Sequence, residues 1–321
     1  MKHSNKIIIT LIAIVSTMTV NAAKPFSLEK LEFLKTFAVK SPAYIKASDE
    51  CNLAYYAFVP QSPQAIVIFY HGAGFYGSAL YQYFAQQLAE NHNIGCYLFD
   101  IRGHGNSSGN RGDAPSVTQV WDDTTTAVTY VKSLYPNVPL YVGGHSSGAG
   151  MILNYSHYYN NPAIQGYLLV TPYLGRNAAV FKEHPDLATS FIKSVRSWVF
   201  ILNGISGGYC FAHTPAVFFN YPKHLLASDP KIVSTYTPTM TAATSPENPQ
   251  ELFRNINKPF GLFIAADDEQ FIAEKVADYK KYVPASILKQ SMVEIIDGSK
   301  HLDILISVVD QCAIFIKKSH A

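Results

Sequence analysis

The sequence carries little charge and no excess of either sign. Asp, Glu, Lys and Arg make up 15% of its 321 residues, with 25 basic against 23 acidic side chains. A nucleic-acid duplex or an anionic bilayer is gripped by a field of one sign, which this composition does not supply. Nucleic acid is therefore not expected as a partner. Cysteine is scarce too: Cys51, Cys96, Cys210 and Cys312 are too few to build a disulfide scaffold, and a chain this long needs none. The four allow three pairings. However, Cys96 lies in an apolar strand run and Cys312 on the apolar face of the last helix, so free buried thiols are expected. No histidine pair has the helical spacing of a metal site, and no cofactor is expected. Low-complexity tracts and fixed-period repeats are absent as well. One large domain, or one domain with an insertion, remains.

The N-terminus holds an apolar run without a charge. Lys2, His3 and Lys6 precede it, residues 7–20 form it, and Val20-Asn21-Ala22 closes it with small residues at the positions a signal peptidase reads. This is the three-part pattern of a secretory signal, with cleavage expected after Ala22 and a periplasmic or secreted destination. The run is short for a span, which needs about 20 apolar residues; the alternative is an uncleaved N-terminal anchor. No cysteine stands near the cleavage point, so a lipoprotein is not expected. Loss of Lys2 and Lys6 takes the basic count from 25 to 23, equal to the 23 acids.

Beyond the leader, strands and helices alternate. Residues 53–59, 65–70, 94–99, 139–143 and 164–170 read as strands, several of them wholly apolar. Residues 80–90, 117–134 and 149–159 carry helical spacing between them. Such alternation means a mostly parallel sheet covered by helices on both faces. The rhythm stops after Pro172. Residues 173–250 hold prolines, turns and exposed-looking rings (Phe191, Trp198, Phe200, Tyr209, Phe211, Phe218, Phe219, Tyr221) and read as a lid over the sheet. Alternation resumes with strand 260–265, helix 271–282, strand 292–296 and a closing helix 302–317. The expected organisation is a signal at 1–22, a core at 23–172 and 251–321, and a lid at 173–250.

Gly144-His145-Ser146-Ser147-Gly148 is a G-x-S-x-G sequence between an expected strand and an expected helix. It resembles the nucleophile elbow of the α/β-hydrolase fold, where a strained turn lifts the serine hydroxyl above the sheet. Gly204-Ile205-Ser206-Gly207-Gly208 fits the same letters. The residues after it, Tyr209-Cys210-Phe211-Ala212-His213-Thr214-Pro215, are a poor helix start, so it reads as a chance match. His71-Gly72-Ala73-Gly74 comes after the strand 65–70. In that fold this loop supplies one oxyanion N–H and the residue after the nucleophile the other, which points to Ala73, with Gly74 as its alternative, and Ser147. A carboxylate is needed after a late strand, where Asp267, Asp268 and Glu269 compete. His301 comes last, as the general base does in this fold. His71, His104 and His145 adjoin glycines in loops, and His184, His213 and His224 fall in the lid; none of these has a sharper reading than structure.

The stretch from Phe99 to Gly112, with Asp100-Ile101-Arg102-Gly103-His104-Gly105 at its heart, resembles the monoacylglycerol lipase and lysophospholipase group, which overlaps the serine aminopeptidase (S33-type) hydrolases. The His71-Gly72-Ala73-Gly74 loop, the elbow and Ser228-Asp229-Pro230-Lys231-Ile232-Val233 match the same group, so the resemblance spans about residues 52–317. It implies a catalytic Ser146, Asp268 and His301. The family acid stands three residues after a glycine closing its strand, and Ala265 here replaces that glycine, so Asp267 stays a rival. Ser147 stands where the lipases commonly have a larger side chain. Arg102 is implied as a loop-ordering residue paired with an acid such as Asp122 or Asp123.

The expected function is an exported carboxylic ester hydrolase acting on monoacylglycerols, lysophospholipids or similar acyl esters. The partner is then a small acyl ester or lipid, met through transient contact of the lid with a membrane surface. Two alternatives differ in class. An aminopeptidase would need an acidic cluster for the substrate amine, for which the lid offers mainly Glu183, Asp186 and Asp229. A non-catalytic binder would share the scaffold alone.

Overall fold

The computed structural model describes residues 29–182 and 190–320. The signal reading at residues 1–22, and Glu183, His184 and Asp186, lie outside the described residues.

Eleven strands are described. In chain order they are β1 (Ala43–Lys46), β2 (Asn52–Phe58), β3 (Ala65–Tyr70), β4 (Ile94–Phe99), β5 (Leu140–His145) and β6 (Gly166–Val170). Then come β7 (Ile192–Val195), β8 (Val217–Phe219), β9 (Thr235–Tyr236), β10 (Phe260–Ala265) and β11 (Met292–Ile296). Eight of them form one sheet in the order β1-β2-β4-β3-β5-β6-β10-β11, in which only β2 runs against its neighbours. All six residues of β3, Ala-Ile-Val-Ile-Phe-Tyr, are buried, as are those of β4, β5 and β10. That is the mark of strands covered on both faces.

Successive side chains of β3 feed different layers. Ile66, Ile68 and Tyr70 join the core beneath α2 (Val117–Leu134) and α3 (Ser147–Tyr158). Ala65, Val67 and Phe69 join the core beneath α1 (Ala79–His92) and the closing helix Val309–His320. The helix starts are local chemistry: Ser116 caps α2 by accepting the Gln119 N–H at 3.0 Å. From β3 the chain crosses to β4 on one side and later returns to β5 on the other. In open parallel sheets such a reversal leaves a crevice at the carboxyl ends of the two strands. Register pairs Tyr70 with Gly144 there, so the loop after β3 meets the turn after β5.

Several expectations are corrected. β1 has no counterpart among the expected strands, because three of its four residues are exposed and carry no burial signal. The expected helix 271–282 is a short helix, Ala273–Ala277, followed by a 3-10 turn. The closing helix breaks near Val308 into Ile304–Ser307 and Val309–His320. Residues 173–250, which show no clear sheet strand in their pattern, contain the antiparallel sheet β7-β8-β9. Their last part, Pro238–Thr244, packs on α2 and α3 and sends Met240 and Ala243 into the main core. Of the rings read as exposed, Phe219 is buried and Trp198, Tyr209 and Phe211 are exposed.

The loop after β4 is held by an ionic triad in which Arg102 and Asp123 are buried and Asp49 is exposed. Arg102 donates Nε and Nη2 to Asp123 at 2.7 Å each, and Nη1 and Nη2 to Asp49 at 2.8 and 3.1 Å. Asp123 is thus the expected acid, Asp49 is an unexpected second one, and Asp122 instead accepts the Tyr159 hydroxyl at 2.7 Å. Removing one partner of a buried pair leaves a charge without compensation. Arg102→Met should lower unfolding stability by about 3–5 kcal/mol, and adding Asp123→Leu should recover part of it, as read from urea denaturation.

Candidate active site

Ser146 follows β5 and caps α3 with φ 54° and ψ −118°, a conformation side chains rarely adopt. Two glycines make it possible. A Cβ on Gly144 would lie 2.5 Å from the Gly148 carbonyl carbon, and one on Gly148 would lie 2.4 Å from the His71 carbonyl oxygen. Ser146 N–H donates to Val170 O at 3.0 Å, while its carbonyl accepts from Gly150 and Tyr173, each at 3.0 Å. The turn is tight enough that α3 begins at Ser147, two residues earlier than its apolar pattern suggests.

The structure brings Ser146, Asp268 and His301 together. His301 Nε2 stands 2.9 Å from Ser146 Oγ, and its Nδ1 stands 2.7 Å from Asp268 Oδ2. The other oxygen of Asp268 accepts backbone N–H groups from Gln270 at 2.7 Å and Phe271 at 3.0 Å. Asp267 is exposed and does not meet His301; its N–H donates to Ser299 O. Glu269, the third acid of the run, accepts the His301 backbone N–H at 3.0 Å. Burial alone pushes the His301 pKa down. The charge and hydrogen bond of Asp268, with the charge of Glu269, outweigh it and hold the pKa above the ordinary histidine value.

Beside Ser146 lies the loop after β3. The Ala73 and Ser147 N–H groups have no acceptor among the described residues. Gly74, the alternative donor, is committed: its N–H donates to the Tyr236 hydroxyl at 3.1 Å. Gly72 N–H donates to the Tyr81 hydroxyl at 2.8 Å. Tyr81 in turn meets His145 Nδ1 at 3.0 Å, while His145 Nε2 stands 2.8 Å from the His301 carbonyl. A carbonyl only accepts, so Nε2 carries the proton and Nδ1 accepts from Tyr81. His145 is therefore a neutral strut between the loop and the backbone of His301, and burial holds its pKa far below the ordinary value. His71 serves likewise, accepting the Ile101 N–H at 3.0 Å. Tyr81 and Tyr236 escape sequence reasoning, and Glu269 is weighed there only as the triad acid, because all three act on backbone groups, which leave no pattern.

Ser206 is placed elsewhere, at the end of α4 (Ser197–Ile205). It bonds Asn203 O and Cys210 N, and a Cβ on Gly204 or Gly208 would meet nothing within 4 Å. His213 contacts Asp113 at 3.0 Å, and His224 stands on the helix Lys223–Ser228. All four cysteines are free, with Cys96 and Cys312 buried. Rings flank the site: Phe271 lies 5.3 Å from the His301 ring and leads to Phe181 and Tyr173. In a second run, Phe75, Tyr221, Phe191, Phe219 and Tyr236 pack in succession.

The two G-x-S-x-G stretches make a matched test. Gly148→Ala should lower both stability and activity, because its Cβ meets backbone that cannot move. Gly204→Ala lies inside a helix with open space, so it should raise stability by about 0.5–1 kcal/mol and leave activity unchanged. Thermal unfolding and esterase assays on both variants check this.

Comparison with known proteins agrees with this geometry. The family model described as serine aminopeptidase, S33, matches residues 61–302. A monoacylglycerol lipase of Mycolicibacterium smegmatis is 27% identical over 133 residues, which is 38% of this chain and 47% of that lipase. A monoglyceride lipase homolog of monkeypox virus is 36% identical over 90 residues, 27% of this chain and 31% of its own length. The chain spans less than half the length of the relatives it matches. Among solved structures, a soluble variant of the Saccharomyces cerevisiae monoglyceride lipase, in complex with a substrate analog, is similar over 93% of this chain and 99% of its own. Its TM-score is 0.66 at 17% identity. A thermostable carboxyl esterase from Bacillus coagulans, in complex with glycerol, gives 0.64 at 18% identity over 86% and 97% of the two chains. At such identities the structural likeness is one of fold, and it is the fold assembled above. The chain belongs to the serine aminopeptidase S33 family of α/β-hydrolases.

Proposed function

We propose that this protein is an exported serine hydrolase that cleaves carboxylic esters through an acyl-enzyme on Ser146. Monoacylglycerols, lysophospholipids or similar acyl esters are its substrates. The observation that carries the reading is the unbroken chain from Ser146 Oγ through His301 to Asp268, at 2.9 and 2.7 Å. Ser146 Oγ attacks the ester carbonyl while its proton passes to His301 Nε2. The carbonyl electrons move onto oxygen, which is received by the N–H groups of Ala73 and Ser147. Asp268 holds the imidazole tautomer and offsets the imidazolium charge. Collapse of the tetrahedral species expels the alkoxide, which takes the proton from His301. Water then repeats the sequence, releasing the acid and restoring Ser146.

An ester with an apolar chain is favoured over a peptide by the side chains around the site. The two runs of rings supply apolar walls, and each methylene buried between them contributes about 0.8 kcal/mol. For the amine of a peptide substrate, Asp229 is the one of the three lid acids named above that lies within the described residues, and it already accepts the Tyr76 hydroxyl at 2.5 Å. The similarity to monoacylglycerol lipases supports the same choice. The residues 173–250 then act as a lid, and α4 is its contact with a lipid surface. Trp198, Ile201, Leu202 and Ile205 stand exposed on α4, Ile205 at 79%, with Tyr209 just beyond at 93%. Rings and aliphatics so exposed suit a membrane–water interface.

Three substitutions and one pH profile test the chemistry together. Ser146→Ala should abolish ester hydrolysis and fluorophosphonate labelling. Asp268→Asn should lower kcat by orders of magnitude, whereas Asp267→Asn should change it little. The base must be deprotonated and its pKa is raised, so kcat/KM of the parent should rise with pH through a single step above about 6.5. A step below that value, or labelling that survives in Ser146→Ala, contradicts the assignment. Aminoacyl amides assayed beside the esters decide against the peptidase.

The lid reading has its own test. Ile201→Asp with Ile205→Asp should lower hydrolysis of monoacylglycerol dispersed in vesicles at least about tenfold, because charges are costly in apolar surroundings. Hydrolysis of soluble p-nitrophenyl acetate should stay at the parental rate. Equal rates on both substrates would remove α4 from the delivery of lipid.

A further inference from the structure

The loop supplying the Ala73 N–H is gripped from outside the sheet. The peptide unit joining Ala73 to Gly74 is held at both ends: its carbonyl accepts from Tyr221 Oη at 2.5 Å, and its N–H donates to Tyr236 Oη at 3.1 Å. The next carbonyl, that of Gly74, accepts from Val233 N–H at 2.8 Å. Contact is close as well as polar. Gly74 has φ +70°, and a Cβ there would lie 2.3 Å from Val233 O and 2.9 Å from the Tyr221 ring. Tyr221, Val233 and Tyr236 all come from the excursion between β6 and β10, and none hydrogen-bonds Ser146.

The direction of the Tyr236 bond is set by a histidine of the loop after β4. His104 Nδ1 lies 3.0 Å from the Arg102 carbonyl and must donate to it, so its Nε2 accepts the Tyr236 hydroxyl proton at 2.8 Å. The Tyr236 oxygen is thereby left as an acceptor for Gly74 N–H. Burial lowers the His104 pKa to about 4, so the order of donors holds at neutral pH. On the other side of Ala73, Gly72 N–H ends on the matching relay of Tyr81 and His145. Of the three loop N–H groups, that of Ala73, between the two relays, is the one with no acceptor among the described residues.

We propose that Tyr236 and Tyr221 are positioning residues for the oxyanion hole. They fix the Ala73–Gly74 peptide plane, and so the aim of the Ala73 N–H, which makes the covering segment part of the catalytic apparatus. This rests on the reading of Ser146 as nucleophile. A donor held in place before charge develops stabilises that charge without first reorganising. A loosened plane keeps the donor but loses its aim.

Tyr236→Phe and Tyr221→Phe keep both rings and remove only the hydroxyls. On a soluble p-nitrophenyl ester each should lower kcat about tenfold to hundredfold, less than the loss of a whole oxyanion donor. KM should stay within about threefold, because ground-state binding does not use the oxyanion contact. A trifluoromethyl ketone, which adds to the serine and places an oxyanion in the hole, should lose affinity in proportion to the fall in kcat/KM. Active-site titration and thermal unfolding, measured alongside, report a purely structural role by a fall in active fraction or melting midpoint. If Tyr236→Phe does not fold, Tyr221→Phe carries the test alone, since it acts on the same peptide unit. Parental kcat in the variants, a loss confined to KM, or a kcat loss with unchanged ketone affinity overturns the proposal. Activity kept by Ser146→Ala refutes the nucleophile and the hole with it. Activity lost there but kept in both phenylalanine variants refutes the positioning alone.

Discussion

Ser146 holds a positive φ because three pieces of backbone can meet around it, and they can meet because two of the residues there have no side chain. The end of β3 runs against Gly148, the start of α3 folds back on Gly144, and the serine between them is lifted over the sheet edge. Strain of this kind costs about 1–3 kcal/mol and survives only where the surroundings over-determine it. Here the surroundings are β3 and β5, buried along their whole length. Their register puts the His71–Gly74 loop beside the serine, and the sheet order puts β10 and its acid across from it. A one-residue slip at β5 would move the hydroxyl to the opposite face and dissolve the site.

The buried histidines show how one side chain takes opposite roles. His71, His104 and His145 all have lowered pKa values, burial being the main cause, and each is a neutral ring of fixed tautomer that donates to a backbone carbonyl and accepts from a backbone N–H or a tyrosine hydroxyl. His301 is as deeply buried, yet its pKa is raised, because two carboxylates, Asp268 and Glu269, approach it from the loop after β10. The neutral three build the frame and the charged-capable one works within it. Placing carboxylates at one ring and withholding them from three others is what separates the roles.

Much of this is legible in the sequence, for identifiable reasons. The central strands announce themselves because burial on both faces forces unbroken apolar runs, and the elbow because close backbone contact forces glycine at two fixed places. β1 is invisible because it buries almost nothing. The choice between Asp267 and Asp268 stays open on the residues alone, since neighbouring residues leave a strand on opposite sides and nothing local says which side faces the histidine. The structure turns Asp268 inward and leaves Asp267 in solvent. Asp49 and Glu269 are legible as acids but not as partners. Asp49 meets Arg102 across 53 positions of chain, and Glu269 meets a main-chain N–H across 32. The small sheet β7-β8-β9 escapes because its strands are only two to four residues long, shorter than any periodicity can be read.

The grip on the Ala73–Gly74 peptide closes loops of 148 and 162 positions, from Ala73 to Tyr221 and from Gly74 to Tyr236. Contacts so distant in sequence form late, because chain entropy must be lost before they repay it. If those tyrosines aim the oxyanion donor, a chain that has folded only as far as β6 holds its serine above the sheet without a working hole. Refolding would then show compact structure first and reactivity toward a fluorophosphonate afterwards. If the chain is exported and cleaves esters as proposed, such a lag keeps its serine inert while the chain is still in passage.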